Sequence, residues 1–538
     1  MFGTKRQGPA MLAAGSERAD ASYDIVIIGS GVGGATLAQR LAPTGKSILI
    51  LERGERLPVE PHNWDAYEVF VNHRYRTKEK WRDRKGRRFH PTTHYWVGGN
   101  TSFYGAALFR LRKGDFEEVR HHGGVSPAWP ISYTDMRPYY DEAERIWQVH
   151  GTRGADPTDD AEAPAYPYPA VAHDPEIALL KSRIEKSGWH PFDLPLGIDR
   201  HNDEPWRGRC VRCTTCGGFP CLTRAKSDAR RIVDEVETFA NVVVKPNSKV
   251  LRLETDRRGR KIDTVVCDTP HGEQRIKGDI VILAAGAANS AAVLLRSRNA
   301  AHPAGLANGS DQVGRNYMFH TLSAVLSATR SKVTAPFPKT FGINDFYWND
   351  PEGGFDFPMG HVQLLEYMNA DTVRGQVSAV VPPVLFPKFL AQMIASRITA
   401  FLVISEDLPL PQNRVKLNRK DEIVLDYWYN NQAGHERLNG KLISRLHKLG
   451  RLCRCLRQKR YQFSELLPLF GTAHQCGTLR MGADPASSVV DSNCKAHELD
   501  NLYVVDSSVF VSSAAVNPAL TIAANGLRVG DHIIDRLK

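Results

Sequence analysis

The stretch YDIVIIGSGVGGATLAQRLAPTGKSILILERG, residues 23–54, constrains the fold more than any other part of the chain. Residues 25–28 form a continuous apolar run, which is typical of a parallel strand covered on both faces. A helical pattern follows, and a second apolar run over residues 47–51 completes a β-α-β unit. The sequence therefore predicts an α/β fold with a Rossmann-like domain.

Three glycines in the turn of this unit, Gly29, Gly31 and Gly34, form the pattern G-x-G-x-x-G. Without side chains they let the backbone turn tightly and let a pyrophosphate approach the N-terminus of the helix. Glu52 ends the second strand, where a carboxylate hydrogen-bonds ribose hydroxyls and rejects a 2′-phosphate. The unit predicts a dinucleotide site, but by itself it does not distinguish NAD from FAD.

A second element of the same kind, GDIVILAAGAANSAAVLLRS, occupies residues 278–297. Its apolar strand ends in a turn of small residues, 284–288, and a helix follows. Because this element is far from the first one in the chain, we expect a discontinuous nucleotide domain.

Composition excludes several classes of protein. A hydrophobic fraction of 42% and a charged fraction of 24% are those of an ordinary globular protein, neither disordered nor fibrous. The net charge of +11 is modest for 538 residues, and we expect no nucleic-acid partner. The densest basic stretch, residues 73–90, is interpreted as a solvated basic loop, or alternatively as a docking face.

Residues 1–21 lack the apolar core of a secretory signal, and nowhere do 18 apolar residues follow one another. These observations predict a soluble cytoplasmic protein without a transmembrane anchor.

Four of the nine cysteines fall within twelve residues, at a spacing of C-x2-C-x2-C-x4-C. Bacterial ferredoxin loops use C-x2-C-x2-C-x3-C followed by proline, so the last interval here is one residue too long. Three readings stay open: structural thiols or a local disulfide, an iron-sulfur cluster, and a zinc site. The candidate ligands are Cys210, Cys213, Cys216 and Cys221.

The run GTAHQCGTLRMG, residues 471–482, places His474 among glycines and beside Cys476. A histidine here could be a catalytic base, a metal ligand or a turn residue. A zinc site lacks two further nearby ligands, so the metal interpretation is weak.

Near the end of the chain a strand over residues 502–505 leads to Asp506, and the dipeptide Asn517-Pro518 opens a helix. Asparagine at the N-cap with proline at the next position is a preferred helix start, so Asn517 is expected to cap the helix.

Taken together, these segments resemble the glucose-methanol-choline oxidoreductases, a flavoprotein family that binds FAD and oxidises alcohols. The motifs that carry the resemblance are the N-terminal turn, residues 94–112, 129–144, 281–295 and 501–533. The resemblance implies a flavin-facing turn at Gly98, Gly99 and Asn100. In the branch that attaches FAD covalently, a histidine follows this turn by a few residues. Residues 102–104 are Ser, Phe and Tyr here, so we predict non-covalent FAD.

The same resemblance assigns roles around the flavin. His474 stands in the family pattern H-x-x-G-T-x-R-M-G and is the expected catalytic base, with Asn517 as the second member of the active-site pair. The start of the last helix would stabilise negative charge on the reduced flavin. Further cofactor contacts are expected at Asp506, near the phosphates or the ribityl chain, and at Val250, Ala285 and Pro518.

By resemblance the FAD domain comprises residues 1–140, 235–325 and 465–538, and the substrate domain comprises 141–234, with the cysteine-rich loop, and 326–464. The substrate domain is expected to contain a mainly antiparallel sheet covered by helices. Residues 398–405 read as a strand and residues 414–429 as a hairpin. An apolar stripe in residues 382–397 predicts a helix in the core or at an oligomer interface, or alternatively a lid or membrane-facing helix.

The expected reaction is the oxidation of a CH–OH group, of a sugar, glycoside or polyol, to a ketone or aldehyde. The proton goes to His474 and the hydride to flavin N5, and the electrons then pass to oxygen, a quinone or a redox protein. Alternatives are a sterol or other non-sugar alcohol as substrate, an FAD-dependent lyase, and an iron-sulfur dehydrogenase subunit that feeds a cytochrome.

Overall fold

The fold was analysed in a computed structural model that describes residues 20–202, 208–377, 382, 385–457 and 473–538. The strands in these ranges are β1 (Asp20–Ile28), β2 (Ile48–Leu51), β3 (Trp81–Asp83), β4 (Arg88–Phe89), β5 (Val119–His121), β6 (Gly124–Ser126), β7 (Val149–Gly151), β8 (Tyr168–Pro169), β9 (Pro191–Asp193), β10 (Leu196–Gly197), β11 (Val242–Lys245), β12 (Lys249–Thr255), β13 (Ile262–Thr269), β14 (Gly272–Leu283), β15 (Thr321–Ala328), β16 (Phe341–Ile343), β17 (His361–Leu364), β18 (Ile398–Ser405), β19 (Arg414–Leu417), β20 (Ile423–Asp426), β21 (Leu452–Arg457) and β22 (Leu502–Val504). The α-helices in the same ranges are α1 (Val32–Leu41), α2 (Tyr133–Ile146), α3 (Pro175–Glu185), α4 (Ala229–Val236), α5 (Ala287–Arg296), α6 (Ala370–Val377), α7 (Lys388–Ala395), α8 (Gln432–Lys448) and α9 (Ala519–Leu537).

The largest sheet has the strand order β11-β2-β1-β14-β13-β12, and β22 pairs with β14. The pairs β1–β2, β1–β14, β2–β11 and β14–β22 are parallel, and only the β12–β13–β14 meander is antiparallel. The predicted β-α-β unit is confirmed, because β1 and β2 run parallel and α1 connects them. The strands come from three separated segments of the chain, while the limits of the domains stay a prediction.

Apolar strands explain why this sheet is the core of the molecule. The side chains of residues 25–28 and 48–51 are at most 4% exposed, as the unbroken apolar runs predict. Helix α1 packs against α9 and α4, and α9 also packs against α2, so one face of the sheet carries a helical layer.

A second sheet, β21-β15-β18-β17-β16-β9, is antiparallel throughout. Alternation along its strands gives it two apolar faces. Odd-numbered residues such as Val325 and Phe401 pack with α3 and α8, and even-numbered residues such as Ala324 and Leu402 form the opposite face. The predicted strand 398–405 and the predicted antiparallel sheet with helices are confirmed.

The predicted hairpin over residues 414–429 is present as β19 and β20. It continues into β3 and β4, which lie within the basic stretch 73–90. The interpretation of that stretch as a solvated loop is therefore wrong: Trp81 is fully buried, and Arg82 and Arg88 both pair with Glu422, at 2.6 and 2.9 Å. The aromatic residues of the stretch supply core contacts.

Two local predictions on the second sheet need correction. The basic run RLCRCLRQKR, residues 451–460, is interpreted from its sequence as helical, but its Cys453 and Cys455 lie in strand β21, which pairs antiparallel with β15. The stripe in residues 382–397 forms α7, but its large side chains are exposed, with Phe389 74% and Met393 53% accessible. A core role for this stripe is thus wrong, and its role at an interface stays a prediction; Val384 lies outside the described residues.

Among the helices of the described residues, none is long and apolar enough to cross a membrane. The predicted absence of a secretory signal concerns residues 1–21, nearly all of which lie outside the described part.

Candidate functional site

A cleft of about 190 Å³ opens where the parallel strands β1, β14 and β22 end. Ligands of doubly wound sheets bind at this edge, outside the carboxyl ends of the strands. The structure brings most of the predicted cofactor residues together here, although they come from five distant parts of the chain. The predicted residues that line the cleft are Gly29, Gly31, Glu52, Gly99, Asn100, Val250, Ala285 and Asp506.

The glycines of the first turn have different tasks. Gly29 has φ +109°, and a Cβ there would lie 2.4 Å from a backbone oxygen just after β14. A Cβ on Gly34 would lie 2.1 Å from the Gly29 oxygen, so Gly34 serves close packing of α1 and does not line the cleft. Gly31 has no protein atom within 4 Å of its Cβ position, and its φ of −68° suits any residue. An external group in the cleft therefore explains the glycine at position 31.

Gly33 was not singled out from the sequence. A Cβ at this position would lie 1.8 Å from the backbone oxygen of Val505, just after β22. Helix α1 therefore touches the third chain segment directly through Gly33. The only signal in the sequence is the adjacent pair Gly33-Gly34, which the spacing rule does not require.

Glu52 is held in place by Ser30. Its carboxylate accepts hydrogen bonds from Ser30 Oγ at 2.7 Å, from the Ser30 amide at 3.1 Å and from the Gly54 amide at 2.9 Å. Burial raises the pKa of this carboxyl group above its ordinary value. Ser30 Oγ also accepts from the Gly98 amide at 3.0 Å, so one hydroxyl connects the two glycine turns. Sequence analysis missed Ser30, because any residue is allowed at this position of the motif.

Asp506 fixes the start of α5. One of its carboxylate oxygens accepts from the Gly286 amide at 2.9 Å and from Ser290 Oγ at 2.5 Å, and the other accepts from the Ser508 amide at 2.8 Å. The free amides at the start of α1 and α5 therefore both face the cleft. Two helix N-termini at one cleft favour an anionic group such as a pyrophosphate.

The second glycine turn has positive φ at Gly98 (+90°) and Gly99 (+55°). A Cβ on Gly98 would lie 2.6 Å from Arg230 Cγ, so packing explains this glycine, and Gly98 is not among the cleft residues. Gly99 and Asn100 do line the cleft. The residues that follow, Ser102 to Tyr104, include no histidine.

A larger cavity, which we call the chamber, has a volume of about 900 Å³ and adjoins the cleft. Both cavities are lined by Val32, His94, Asn100 and Thr101, so the two spaces are continuous. The chamber extends from the two glycine turns to the face of the second sheet that carries the even-numbered residues of β15 and β18. Its lining also includes His474, Asn517 and Pro518.

His474 and Asn517 meet at the chamber wall, with 3.5 Å between His474 Nε2 and Asn517 Nδ2. The expectation that Asn517 caps the last helix is wrong by one residue: α9 begins at Ala519 and its N-cap is Pro518, without a side-chain cap. The Asn517 side chain is directed at His474 instead. Its Oδ1 atom is buried and has no hydrogen-bond partner among the described residues, so the site offers a free acceptor.

His320, which sequence analysis missed, contacts the other face of His474. The two Nδ1 atoms are 2.9 Å apart, and His320 Nε2 is 2.9 Å from the carbonyl oxygen of Ser513. Burial is the main cause that lowers the pKa of His320, to about 4, and the pKa of His474 well below 6.5. Both rings are therefore neutral at pH 7.

Neutral rings fix the positions of the protons. A carbonyl oxygen only accepts, so His320 Nε2 carries the hydrogen and His320 Nδ1 is an acceptor. His474 Nδ1 must then donate to it, which leaves a lone pair on His474 Nε2. The arrangement can therefore take a proton from a group bound beside Asn517.

The cysteine loop lies over the second glycine turn. All four cysteines are free thiols, and the described residues contain no group of three or more metal-ligating side chains. A local disulfide is thus not formed. The described part of the loop also contains no assembled set of ligands for a zinc ion or an iron-sulfur cluster. Cys476, beside His474, is buried and pairs through its backbone with Met318. The loop residues concerned are Cys210, Cys213, Cys216 and Cys221.

Comparison with known proteins agrees with this geometry. The GMC oxidoreductase family matches residues 461–526, and an NAD(P)-binding Rossmann-like domain matches residues 27–64. The chain is 31% identical to 6'''-hydroxyparomomycin C oxidase of Streptomyces lividus over 537 residues, which covers 96% of this chain and 92% of that protein. It is 27% identical to 2-methyl-1,2-propanediol dehydrogenase of Mycolicibacterium austroafricanum, covering 95% of each.

Among solved structures, pyridoxine 4-oxidase from Mesorbium loti superposes with a TM-score of 0.65 at 19% identity and covers 95% of this chain and 99% of that one. This likeness establishes the fold. Together with the relative that is 31% identical over nearly its whole length, it shows that the chain belongs to the glucose-methanol-choline oxidoreductases and is an FAD-dependent enzyme that oxidises the CH–OH group of an alcohol.

Proposed function

We propose that His474 is the catalytic base of this oxidation and that Asn517 positions the substrate hydroxyl. The observation that carries the proposal is the unprotonated His474 Nε2 at the chamber wall, whose lone pair has only the long 3.5 Å contact with Asn517 Nδ2. A hydroxyl held between the two side chains would donate to His474 Nε2 and accept from Asn517 Nδ2. FAD, when bound, supplies the acceptor for the hydride that leaves the substrate carbon.

The cofactor contacts are proposed from the cleft. Gly31 leaves room for the pyrophosphate, the starts of α1 and α5 face it, and Glu52 has the position of a ribose ligand. The FAD domain would comprise residues 1–140, 235–325 and 465–538, as the resemblance implies. Non-covalent attachment follows from Ser, Phe and Tyr at positions 102–104. Acid precipitation tests it: the flavin should stay in the supernatant, and colour in the pellet would contradict the proposal.

The proposed substrate is a sugar, a glycoside or another polyol. The names of the relatives support this class, since one is an oxidase of a hydroxyparomomycin and another a dehydrogenase of a propanediol. The electron acceptor is proposed to be oxygen, a quinone or a redox protein. Turnover of a panel of alcohols with an artificial acceptor, compared with turnover under oxygen, distinguishes an oxidase from a dehydrogenase.

The base is tested by His474→Ala. Because general base catalysis contributes about 10²–10⁴-fold, anaerobic reduction of the flavin by substrate should slow by at least about 100-fold, while FAD stays bound. The exposed His271 offers a matched control, and His271→Ala should reduce its flavin at the wild-type rate. Unchanged reduction in His474→Ala would remove its assigned role.

The pKa of His474 gives a pH dependence. Only the neutral ring accepts a proton, and burial together with the charge of Lys339 holds the pKa of His474 well below 6.5. The rate of flavin reduction should therefore be constant through neutral pH and fall only in acid, as pH drops through this lowered pKa. An acidic limb centred at or above 6.5 would contradict this assignment.

A further inference from the structure

The chamber of about 900 Å³ has two parts. The part beside Val32, Asn100 and Pro518 adjoins the cofactor cleft, and the flavin ring would lie there. The other part runs along the second sheet and is the space left for the substrate. The chemistry of this second part therefore indicates which substrates fit.

One end of the chamber is polar. Beside His474 and Asn517 it contains Lys339 and Glu366, whose Nζ and Oε1 atoms are 2.7 Å apart, and also Gln363. The charge of Lys339 also contributes to the lowered pKa of His474, after burial and His320.

The ion pair is fixed in its place. A Cβ on Gly105 would lie 1.9 Å from Lys339 Nζ, and a Cβ on Gly217 would lie 2.2 Å from Glu366 Cδ. The two glycines thus leave just enough room for the pair between them. Lys339 is only 4% exposed, so this end of the chamber presents a buried set of polar groups to a ligand.

The wall of the chamber that strands β15 and β18 form is aliphatic because side chains alternate along these strands. Every second residue of each strand faces the chamber, and the small alanines among them widen it. These lining residues are Leu322, Ala324, Leu326, Ala328, Ile398, Ala400 and Leu402.

Charges on this wall are few. Among the described lining residues, the charged side chains other than histidine are Lys339, Glu366 and Arg454, and Arg454 is exposed. The single carboxylate of this set, Glu366, is already paired with Lys339. Ammonium groups buried against the aliphatic wall would therefore find no unpaired carboxylate among the described lining residues, and an unpaired buried charge is costly.

We infer that the substrate is an amphiphile: a hydroxyl-bearing head group that binds at the polar end and a bulky apolar body that lies on β15 and β18. This inference rests on the proposed function of His474 and Asn517 and adds the chemical class of the molecule. A glycoside of an apolar aglycone, or a polyol with a long apolar chain, has this form. A polycationic aminoglycoside does not.

Two matched pairs of compounds test the inference, each with one head group and two apolar lengths: methyl and octyl β-D-glucoside, and 1,2-propanediol and 1,2-decanediol. Binding is measured by calorimetry below the micelle concentration, and kcat/KM by anaerobic flavin reduction. Because each buried methylene contributes about 0.8 kcal/mol, the longer member of at least one pair should bind at least about 30-fold more tightly. Equal or weaker binding of both longer members would overturn the inference.

The chamber wall is tested by Ala400→Phe, which fills the aliphatic end. We expect kcat/KM for the preferred long compound to fall at least 10-fold, while its short partner changes less than 3-fold. Ala240→Phe makes the same substitution on an exposed turn far along the chain and should change neither. Leu326→Asn provides a second variant with little change in volume and should also weaken the long compound selectively. An equal effect on both lengths would contradict the placement of the apolar body.

Flavin reduction by paromamine, a polycationic aminoglycoside, shows whether the inference or the proposed function fails. If the polycation reduces the flavin with a higher kcat/KM than every amphiphile, the substrate class is wrong while the role of His474 stands. If no alcohol of any kind reduces the flavin, the proposed function fails together with the inference.

Discussion

His320 determines which nitrogen of His474 is free to act. It lies between the Ser513 carbonyl and His474, and hydrogen bonds occupy both nitrogens of its ring. The residue adopts φ +75°, a conformation that is uncommon for residues other than glycine and in which Asn, Asp and His are enriched. We regard His320 as a positioning residue, because it acts through His474.

His320→Asn tests this role, since asparagine tolerates the backbone conformation and is too short to replace the ring contact. Without its acceptor, His474 loses the preference for the proton on Nδ1, so kcat should fall about 100-fold, the lower end of a general-base contribution, with KM nearly unchanged. Steady-state kinetics give the split between kcat and KM, and the flavin absorbance reports folding. A rise in KM with unchanged kcat would indicate a merely structural residue.

Sequence analysis singled out site residues where they stand in motifs of fixed local spacing, and their roles stay a prediction. His474, Asn517 and Asp506 stand in short motifs, and the structure brings all three to one pair of connected cavities. His320 and Lys339 were missed because their partners lie far away in the chain; His320 and His474 are 154 positions apart. No pattern in a single sequence specifies such a contact.

At the scale of elements, Lys226 connects the cysteine loop to the second glycine turn. Its buried Nζ lies 2.8–3.2 Å from four backbone oxygens, two on the turn (Ser102 and Tyr104) and two on the loop (Cys216 and Phe219). Burial lowers the pKa of Lys226. One side chain thus satisfies carbonyl groups on both elements, and Gly217 to Phe219 of this loop line the chamber.

Lys226→Met keeps the length of the side chain and removes the charge. Four buried carbonyl groups would lose their donor, and since a hydrogen bond to a charged group contributes about 1.5–3 kcal/mol, we expect a loss of about 3 kcal/mol in the free energy of unfolding. The loop should also open, so that a thiol reagent labels Cys216 faster, as mass spectrometry of peptides reports. The exposed Lys277 provides the control Lys277→Met, which should alter neither quantity.

Element prediction failed where two periodicities compete. Along β21 the side chains of Leu452 and Arg454 are exposed and those of Cys453 and Cys455 are half-buried, an alternation that the sequence contains. The cations nearby favoured a helical interpretation instead. In α7 the helix was predicted correctly, but the burial of its apolar side was not. Whether that side is buried depends on which element packs against it, and the spacing of apolar residues in the sequence does not show this.

At the scale of the whole molecule, the cofactor cleft joins three chain segments that fold around one sheet. Gly33 and Gly31 are two residues apart but serve different purposes: the first serves folding and the second serves binding of the cofactor. Gly33 is needed for the contact of α1 with the segment after β22, whereas Gly31 faces open space in the cleft. In the sequence motif both are glycines of one turn. Their different roles become visible only from the atoms that surround each Cβ position in the structure.

Gly31→Val and Gly33→Ala should therefore have opposite effects. Since protein atoms leave the Cβ position of Gly31 open, the flavin-free Gly31→Val variant should unfold at nearly the wild-type temperature, but the cleft should bind FAD at least 10-fold more weakly. In Gly33→Ala the new Cβ meets a backbone oxygen at 1.8 Å, so the flavin-free protein itself should lose several degrees of Tm, about 1–3 kcal/mol for an overpacked site. Thermal melts by circular dichroism, with and without added FAD, measure both quantities, because a ligand that binds only the folded state stabilises it by RT ln(1 + L/Kd), where L is the free ligand concentration, and so raises Tm more when it binds more tightly. Equal losses of Tm in the two flavin-free variants would show that Gly31, too, serves packing, and would remove the evidence that a cofactor explains it.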